Sequence, residues 1–384
     1  MSNPVQLHQV CTLITDGTHY TPKDVGVGVP FLTVKDMTPS GLDFLNCSKI
    51  STENFLIARN GNSAPLFGDV LFSKDGTVGK VQLVDENIDF AVLSSIAILR
   101  PNKNHLDSKY LAHVLKSEKT INDAIKKKTG SAVRRIILSD LKTIQIPLPP
   151  LAEQQRISAL LDTADRIIKQ RELAIAKLEQ LSQSIFVDMF GDPLANSKNF
   201  EKVKVSGICK LVNGRAFKPT EWKESGKPII RIQNLNDETK PFNYTQENLD
   251  EKYLIKNGDV LFSWSGTPGT SFGCFKWLRE DGWLNQHIFK VNLNEKLITA
   301  DFFIMQMNLK IGELISQAHG GVGLQHVTKK MVDELPLLLP PMELQLVFCK
   351  RVTEFEKIKR IYKNAFNSTN LLQSSLQHQS FAIN

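Results

Sequence analysis

The residues of this sequence that could do chemistry never assemble into a catalytic pattern. Gly76-Thr77-Val78-Gly79-Lys80 offers glycines and a lysine, but it lacks the spacing of a phosphate loop and the Ser or Thr that would meet Mg²⁺. It reads as a turn between strands. Gly320-Gly321-Val322-Gly323 is not followed by a βαβ unit with a distal acid, so it does not read as a dinucleotide loop. Asp192-Pro193-Leu194 is not the Asn/Asp-Pro-Pro-aromatic tetrad of an amino-methyltransferase and reads as a helix stop. The 8 histidines are dispersed, without HExxH or HxH spacing. The 5 cysteines form no CxxC pair, which argues against zinc and fits a reducing cytosol. Asp162, Asp165 and Glu172 fall on the expected solvated face of a helix. The expectation is a chain that performs no chemistry alone, with no catalytic, cofactor-binding or metal-binding residue of its own.

Other side chains suit a polyanion. Between Lys116 and Arg135 stand seven cations (Lys116, Lys119, Lys126, Lys127, Lys128, Arg134, Arg135) against two acids. Cations at that density can hold phosphates by displacing condensed counterions. Loops at strand ends carry groups able to read base edges: Lys35 and Asp36 in one place, Arg231, Gln233 and Asn234 in another. Arg prefers guanine, and Asn or Gln adenine, through paired hydrogen bonds in the major groove. The net charge of +7 and pI near 9.0 are compatible with such a partner without identifying it. The candidate contact residues are Thr18, His19, Tyr20, Lys35, Lys74, Lys128, Arg134, Arg135, Arg215, Lys218, Arg231, Gln233, Asn234, Trp264, Ser265, Gln325 and His326.

Two long helices must position these loops. Pro147, Pro149 and Pro150 form a proline clamp, which neither a strand nor a helix interior accepts. About 38 residues free of Pro and Gly follow, ending at Phe190-Gly191-Asp192-Pro193. Ile157, Leu160, Leu161, Ala164, Ile167, Ile168, Leu178, Leu181 and Ile185 form a heptad-like seam on a helix roughly 55 Å long. The clamp and seam recur 191 residues later at Pro340-Pro341-Met342-Glu343-Leu344-Gln345, followed by Phe348, Val352, Phe355, Ile358 and Tyr362. Within that second helix the polar stretch Asn364 to Asn370 predicts a bend or a frayed end.

The segments before each helix are also copies. Gly68-Asp69-Val70-Leu71-Phe72-Ser73 matches Gly258-Asp259-Val260-Leu261-Phe262-Ser263, and Gly-Thr-x-Gly follows each. Asp16-Gly17-Thr18 matches Asn213-Gly214-Arg215. Such self-similarity decides the architecture. β-branched and aromatic runs predict strands at Pro30–Val34, Asp69–Ser73, Val78–Val84 and Ser94–Leu99, then at Ile229–Ile232, Asp259–Trp264 and Gln286–Leu293. Helices are expected from Ser108 through Lys116 towards Lys126, and over Ala300–Ile315. The loops differ where the frameworks agree: Ser73-Lys74-Asp75-Gly76 becomes Ser263-Trp264-Ser265-Gly266. The expected fold is two tandem α/β (α+β) domains, 1–146 and 194–336, alternating with helical regions 147–193 and 337–384 that pair antiparallel.

Taken together, these motifs resemble the specificity (S) subunits of type I restriction–modification systems, over essentially the whole chain. Such helices commonly begin with a PLPPLxEQ-like segment, matched by Pro147 to Gln154 and more loosely by Leu339 to Gln345. The second copy departs by losing one residue and, at Leu344, the second member of the Glu-Gln pair. The resemblance implies two target-recognition domains that each read half of an asymmetric bipartite site in double-stranded DNA. It further implies helices that act as a ruler and dock two methyltransferase subunits, with restriction subunits joining the complex. S-adenosylmethionine, ATP and Mg²⁺ would then reside on the partners. The competing expectations are a DNA-free coiled-coil scaffold, the recognition subunit of a related bipartite-site enzyme outside type I, and an adenine methyltransferase with eroded motifs. No apolar run is long enough to span a bilayer and no secretion leader is apparent, so a cytoplasmic location is expected.

Overall fold

In the computed structural model, residues 4–126, 135–266, 272–316 and 325–382 are described. The chain divides into two compact units, 1–172 with 364–384, and 173–363, so each long helix begins in one and ends in the other.

The N-terminal unit is built on a four-stranded antiparallel sheet of β1 (Cys11–Asp16), β2 (Val70–Ser73), β3 (Val81–Leu83) and β4 (Ile96–Pro101), in the order β1-β4-β2-β3. Its apolar face packs Leu7, Val70, Phe72 and Leu99 against Tyr110, Leu111, Val114 and Leu115 of the helix Ser108–Lys116. That helix does not continue unbroken: at Ser117 ψ turns to 143°, its hydroxyl bonds back to the Val114 carbonyl at 2.6 Å, and a second helix runs Glu118–Lys126. Serine competes for backbone bonds in this way, a signal that charge counting passes over. A smaller sheet places Val29–Leu32 between Ser48–Ile50, antiparallel, and Ala91–Val92, parallel.

The C-terminal unit repeats the plan with β5 (Cys209–Asn213), β6 (Val260–Ser263), β7 (Gly273–Lys276) and β8 (Ile288–Leu293), in the matching order β5-β8-β6-β7. Its core is richer in rings: Phe186, Phe190, Phe302 and Phe348 are fully buried together. Lys227–Ile230 again pairs in parallel with a later strand, Gly282–Leu284.

The repeated Gly-Asp pair has a structural task in both units. Gly68 and Gly258 take φ of 89° and 97°, which a side chain would resist. The carboxylate that follows closes the turn. Asp69 accepts the Leu66 N–H and Asp259 the Lys256 N–H, both at 2.8 Å, and each then holds a cation from the neighbouring strand. The cations are Arg100, at 2.8 and 2.9 Å, and Lys290, at 2.8 Å.

The helices run Leu151–Phe190 and Met342–Phe381, 40 residues each and about 60 Å long. Their starts are stapled identically. Gln154, fully buried, accepts the Asp107 N–H at 2.9 Å and donates to the His105 and Pro149 carbonyls at 2.8 Å. Gln345, also fully buried, accepts the Thr299 N–H at 2.9 Å and donates to the Leu297 and Pro340 carbonyls at 3.0 and 2.9 Å. The glutamine of the clamp is therefore retained in the second copy, no residue is lost between the prolines and Gln345, and Leu344 replaces the half-buried Glu153. The helices are antiparallel within each unit. In the first, Gln373 donates to Asp165, and Arg171 donates to the Ala365 carbonyl and the Thr369 hydroxyl. In the second, Phe348 meets Phe186 and Phe190 edge-on at 5.6 and 5.7 Å, and Lys359 lies 3.6 Å from Glu179. Asn364 to Asn370 does not break the second helix. The Ser368 and Thr369 hydroxyls bond back to the Asn364 and Ala365 carbonyls at 3.0 and 2.9 Å, so the polar groups are satisfied inside the helix. Among the described residues no helix is long and apolar enough to cross a membrane, and no group of three or more potential ligands could hold a metal.

Candidate nucleic-acid interface

In each unit four chain segments meet at one end of the four-stranded sheet. In the N-terminal unit these are the exit of β1 (Asp16 to Tyr20), the exit of β2 (Ser73 to Asp75), the turn Leu93 to Ser95 entering β4, and Arg135-Ile136. One set of backbone bonds ties them. Thr18 N–H donates to the Val92 carbonyl at 2.9 Å, Ser94 N–H to Thr18 at 2.8 Å, Lys74 N–H to Ser95 at 2.9 Å and Ile136 N–H to Lys74 at 2.9 Å.

The C-terminal unit repeats this set almost bond for bond. Arg215 N–H donates to Leu284 at 3.0 Å, Gln286 N–H to Arg215 at 2.8 Å, Trp264 N–H to His287 at 3.2 Å and Val327 N–H to Trp264 at 3.2 Å. Asp75 bridges Arg135, as Ser265 and Gly266 bridge His326 and Gln325. The close approach of the first and third segments explains a shared glycine. A Cβ on Gly17 would run into the Val92 and Leu93 carbonyls, and one on Gly214 into that of Asn285.

On this common frame the side chains diverge. In the N-terminal unit Lys74 is buried and ion-paired with Asp16 at 3.2 Å. Burial pushes the Asp16 carboxyl above its ordinary value despite the opposing pull of Lys74, and its Oδ1 is buried without a hydrogen-bond partner. Thr18 is buried as well, its hydroxyl donating to the Tyr20 carbonyl at 2.9 Å. These two candidates shape the site from within. His19, at 80% side-chain exposure, Tyr20 and Arg135 face solvent and remain available to a ligand. Lys128 and Arg134 lie outside the described residues, as do the glycine loops at 128–131, 267–269 and 319–323.

In the C-terminal unit Arg215 stands where Thr18 stands in the first. Its guanidinium lies 4.9 Å from the Phe217 ring centroid and pairs with Glu221. Trp264, in the place of Lys74, stacks on Phe289 at 5.7 Å and meets His287 edge-on at 4.9 Å. Ser265 is buried, whereas Lys218 is exposed beside the turn that Glu221 caps at 2.7 Å. Gln325 and His326 are placed here through their backbone pairing.

A second group adjoins the first, because Leu93 N–H bonds to Leu32 and Asn285 N–H to Ile230, the last residues of the parallel-paired strands. Those strands end sooner than their apolar runs suggest, in a single 3-10 turn at Val34–Asp36 and a short α-helix at Ile232–Asn236. Asp36 accepts the Thr33 N–H at 2.7 Å and Asn234 the Arg231 N–H at 3.1 Å. Asn234 is buried and also donates to the Lys240 and Pro241 carbonyls, so its amide is spent on the turn. Lys35 is exposed. Gln233 donates weakly to Pro241 at 3.3 Å, and Arg231 lies over Trp222 at 5.5 Å while donating to Asn243 at 2.9 Å. Sequence patterning missed the turns Ser94-Ser95 and Gln286-His287, which it absorbed into the strands that follow. Their signal is a pair of polar residues interrupting two apolar runs.

Comparison with known proteins decides what the repeated frame belongs to. The type I restriction modification DNA specificity domain matches residues 2–180 and again 197–367. The chain belongs to this family. It is 22% identical over 381 residues to the putative type I restriction enzyme MjaX specificity subunit of Methanocaldococcus jannaschii, covering 93% of this chain and 87% of that protein. It is 24% identical over 365 residues to the EcoKI specificity subunit of Escherichia coli, covering 87% and 75%. The fold is that of the type I restriction-modification S subunit from M. genitalium, with a TM-score of 0.60 and 16% identity, over 100% of this chain and 97% of that one. The two matched stretches fall on the two sheet ends and their helices, so the family's DNA-recognition domains are present here in tandem.

Proposed function

We propose that each unit reads one half of an asymmetric two-part site in double-stranded DNA. In this reading the long helices fix the unspecified spacing between halves and dock two methyltransferase subunits. The carrying observation is the pair of sheet ends, alike in their backbone bonds and unlike in their side chains. Two readers of different base sequences need that combination, since phosphate contacts position a protein and base-edge contacts specify. The subunit does no chemistry itself. Adenine methylation, and ATP-driven cleavage where restriction subunits join, belong to the assembled complex in the cytoplasm, with S-adenosylmethionine, ATP and Mg²⁺ on the partners. The antiparallel pairing of the helices in each unit supports the spacing role.

The test is to insert or delete one heptad between Leu160 and Leu181, make the matching change in the second helix, and map methylated adenines in a host that carries the methyltransferase. The spacer should lengthen or shorten while both half-sites keep their bases. An unchanged spacer contradicts the ruler. Absence of any salt-dependent shift of random duplex would instead favour a scaffold that binds no DNA.

A further inference from the structure

The turn Asn285-Gln286-His287-Ile288 carries a feature that the repeated frame does not require. His287 adopts φ of 72°. The other left-handed non-glycine residues described are Asn62, Asn196 and Asn199; histidine, like asparagine and aspartate, enters that region several-fold more often than other residues, yet it remains an uncommon backbone for any side chain. The matched turn in the N-terminal unit provides an internal control. Ser95 occupies the place of His287, accepts the same bond from the second segment, and is not left-handed. Both turns join the same pair of strands and are anchored one residue earlier by the same bond, Ser94 to Thr18 and Gln286 to Arg215. Turn length therefore does not impose the left-handed backbone; the N-terminal turn is also closed by the Ile96 N–H on the Leu93 carbonyl at 2.9 Å, and the left-handed form is particular to the C-terminal unit.

Strain of this kind persists where its surroundings over-determine it, and it concentrates at sites of function. The surroundings here are aromatic. The imidazole meets Trp264 edge-on at 4.9 Å, and Trp264 stacks on Phe289 at 5.7 Å. His287 is half-buried, and the adjoining Gln286 is exposed. The result is a ring packed edge-on against Trp264 at the sheet end, with its Nδ1 buried, so that Nε2 is the nitrogen that can face a base.

We propose that His287 is a specificity-determining residue of the C-terminal unit, its ring aimed by the left-handed turn and Trp264 at one base pair of that unit's half-site. An imidazole N–H suits the acceptor edge of a purine, N7 or guanine O6. The N-terminal unit, with Ser95 at this place, reads its half without such a contact. The proposal rests on the DNA-reading function above.

The experiment compares full-length wild type with His287→Gly and His287→Asn, each assembled with the methyltransferase. The probe is the duplex site defined by mapping methylated adenines, together with its single-base-pair variants. Glycine and asparagine both accept the left-handed backbone, so the turn survives while the ring is lost. The expected result is a loss of about tenfold or more in discrimination at one base pair of one half-site. The other half-site should be unchanged and the melting temperature held or raised. An unchanged preference at every position overturns the proposal. Equal weakening of both half-sites, or a lowered melting temperature in both variants, also overturns it, because the ring would then be only packing for Trp264. Failure of the wild type to prefer any duplex would refute the DNA-reading function itself, a separate outcome.

Discussion

Asp16 and Lys74 form an enclosed ion pair at the sheet end of the N-terminal unit, where the C-terminal unit has Asn213 and a Trp264 packed among rings. The main-chain bonds around the two sites match nearly one for one. The contrast teaches that this fold places its architecture in the backbone, the two obligatory glycines and the buried glutamines. The side chains at the sheet end are left free to diverge. It also separates candidates that face solvent (His19, Tyr20, Arg135, Lys218) from those already committed internally (Thr18, Lys74, Asn234).

The staples offer the largest test of equivalence. Gln154→Leu and Gln345→Leu each strand two carbonyls and one N–H inside the protein, at about 1–3 kcal/mol per group before relaxation. Each variant should lose about 4 kcal/mol in urea unfolding. All 4 tryptophans lie in the C-terminal unit, so fluorescence follows that unit while circular dichroism follows both. A difference between the variants above about 2 kcal/mol would break the comparison.

Lys74→Met should cost about 3 kcal/mol at neutral pH by leaving Asp16 buried without its partner. Burial already holds the folded pKa of Asp16 above its unfolded value, so the ionised group costs stability, and that cost disappears once the carboxyl is protonated. The deficit of the variant should therefore shrink as pH falls through the raised folded pKa of Asp16, already above the ordinary carboxylate range. Trp264→Met, with no ion pair to break, should show a deficit that does not vary there.

Gly17→Ala and Gly214→Ala force a Cβ against backbone carbonyls and should each cost about 2 kcal/mol, read as a lowered melting temperature. The smallest effect belongs to Asp162. Burial pushes its carboxyl up, but Lys109 at 2.7 Å and His113 at 2.8 Å outweigh that and hold it below its ordinary value. A lowered folded pKa gives stability that is present above the unfolded pKa and lost as pH falls through the folded one. Asp162→Asn should cost no more than about 1 kcal/mol at pH 7, since the carboxylate is partly solvated, and nothing in strong acid.

The duplication and the long helices were legible because they rest on periodicity and on prolines and glycines that tolerate few substitutes; the strand order was not, and the edge strands Cys11–Asp16, Cys209–Asn213 and Gly273–Lys276 went unread. The retained Gln345 is passed over in the sequence although it stands at the same 191-residue offset from Gln154 that separates the prolines, because Leu344 beside it reads as the lost glutamine. The break at Ser117 and the unbroken helix over Asn364 to Asn370 were misjudged for one reason. A hydroxyl bonded three residues back sits at the break after Lys116, whereas hydroxyls bonded four residues back are absorbed within the second helix, and residue type alone does not tell the two apart. At the site, residue type located the loops but not their exposure. Lys74 reads as a free cation until Asp16 is folded against it, and the strain at His287 has no signature in composition.

The central claim is that the two sheet ends are separate readers on one frame. Its most direct test replaces the N-terminal set at 16–20, 73–76, 93–95 and 134–136 with the equivalent C-terminal residues. Methylated adenines are then mapped in a host that carries the methyltransferase. The account predicts that one half-site changes towards the sequence of the other while the second half and the spacer stay fixed. A stably folded variant that methylates the original two-part site unaltered, or that alters both halves together, would contradict it.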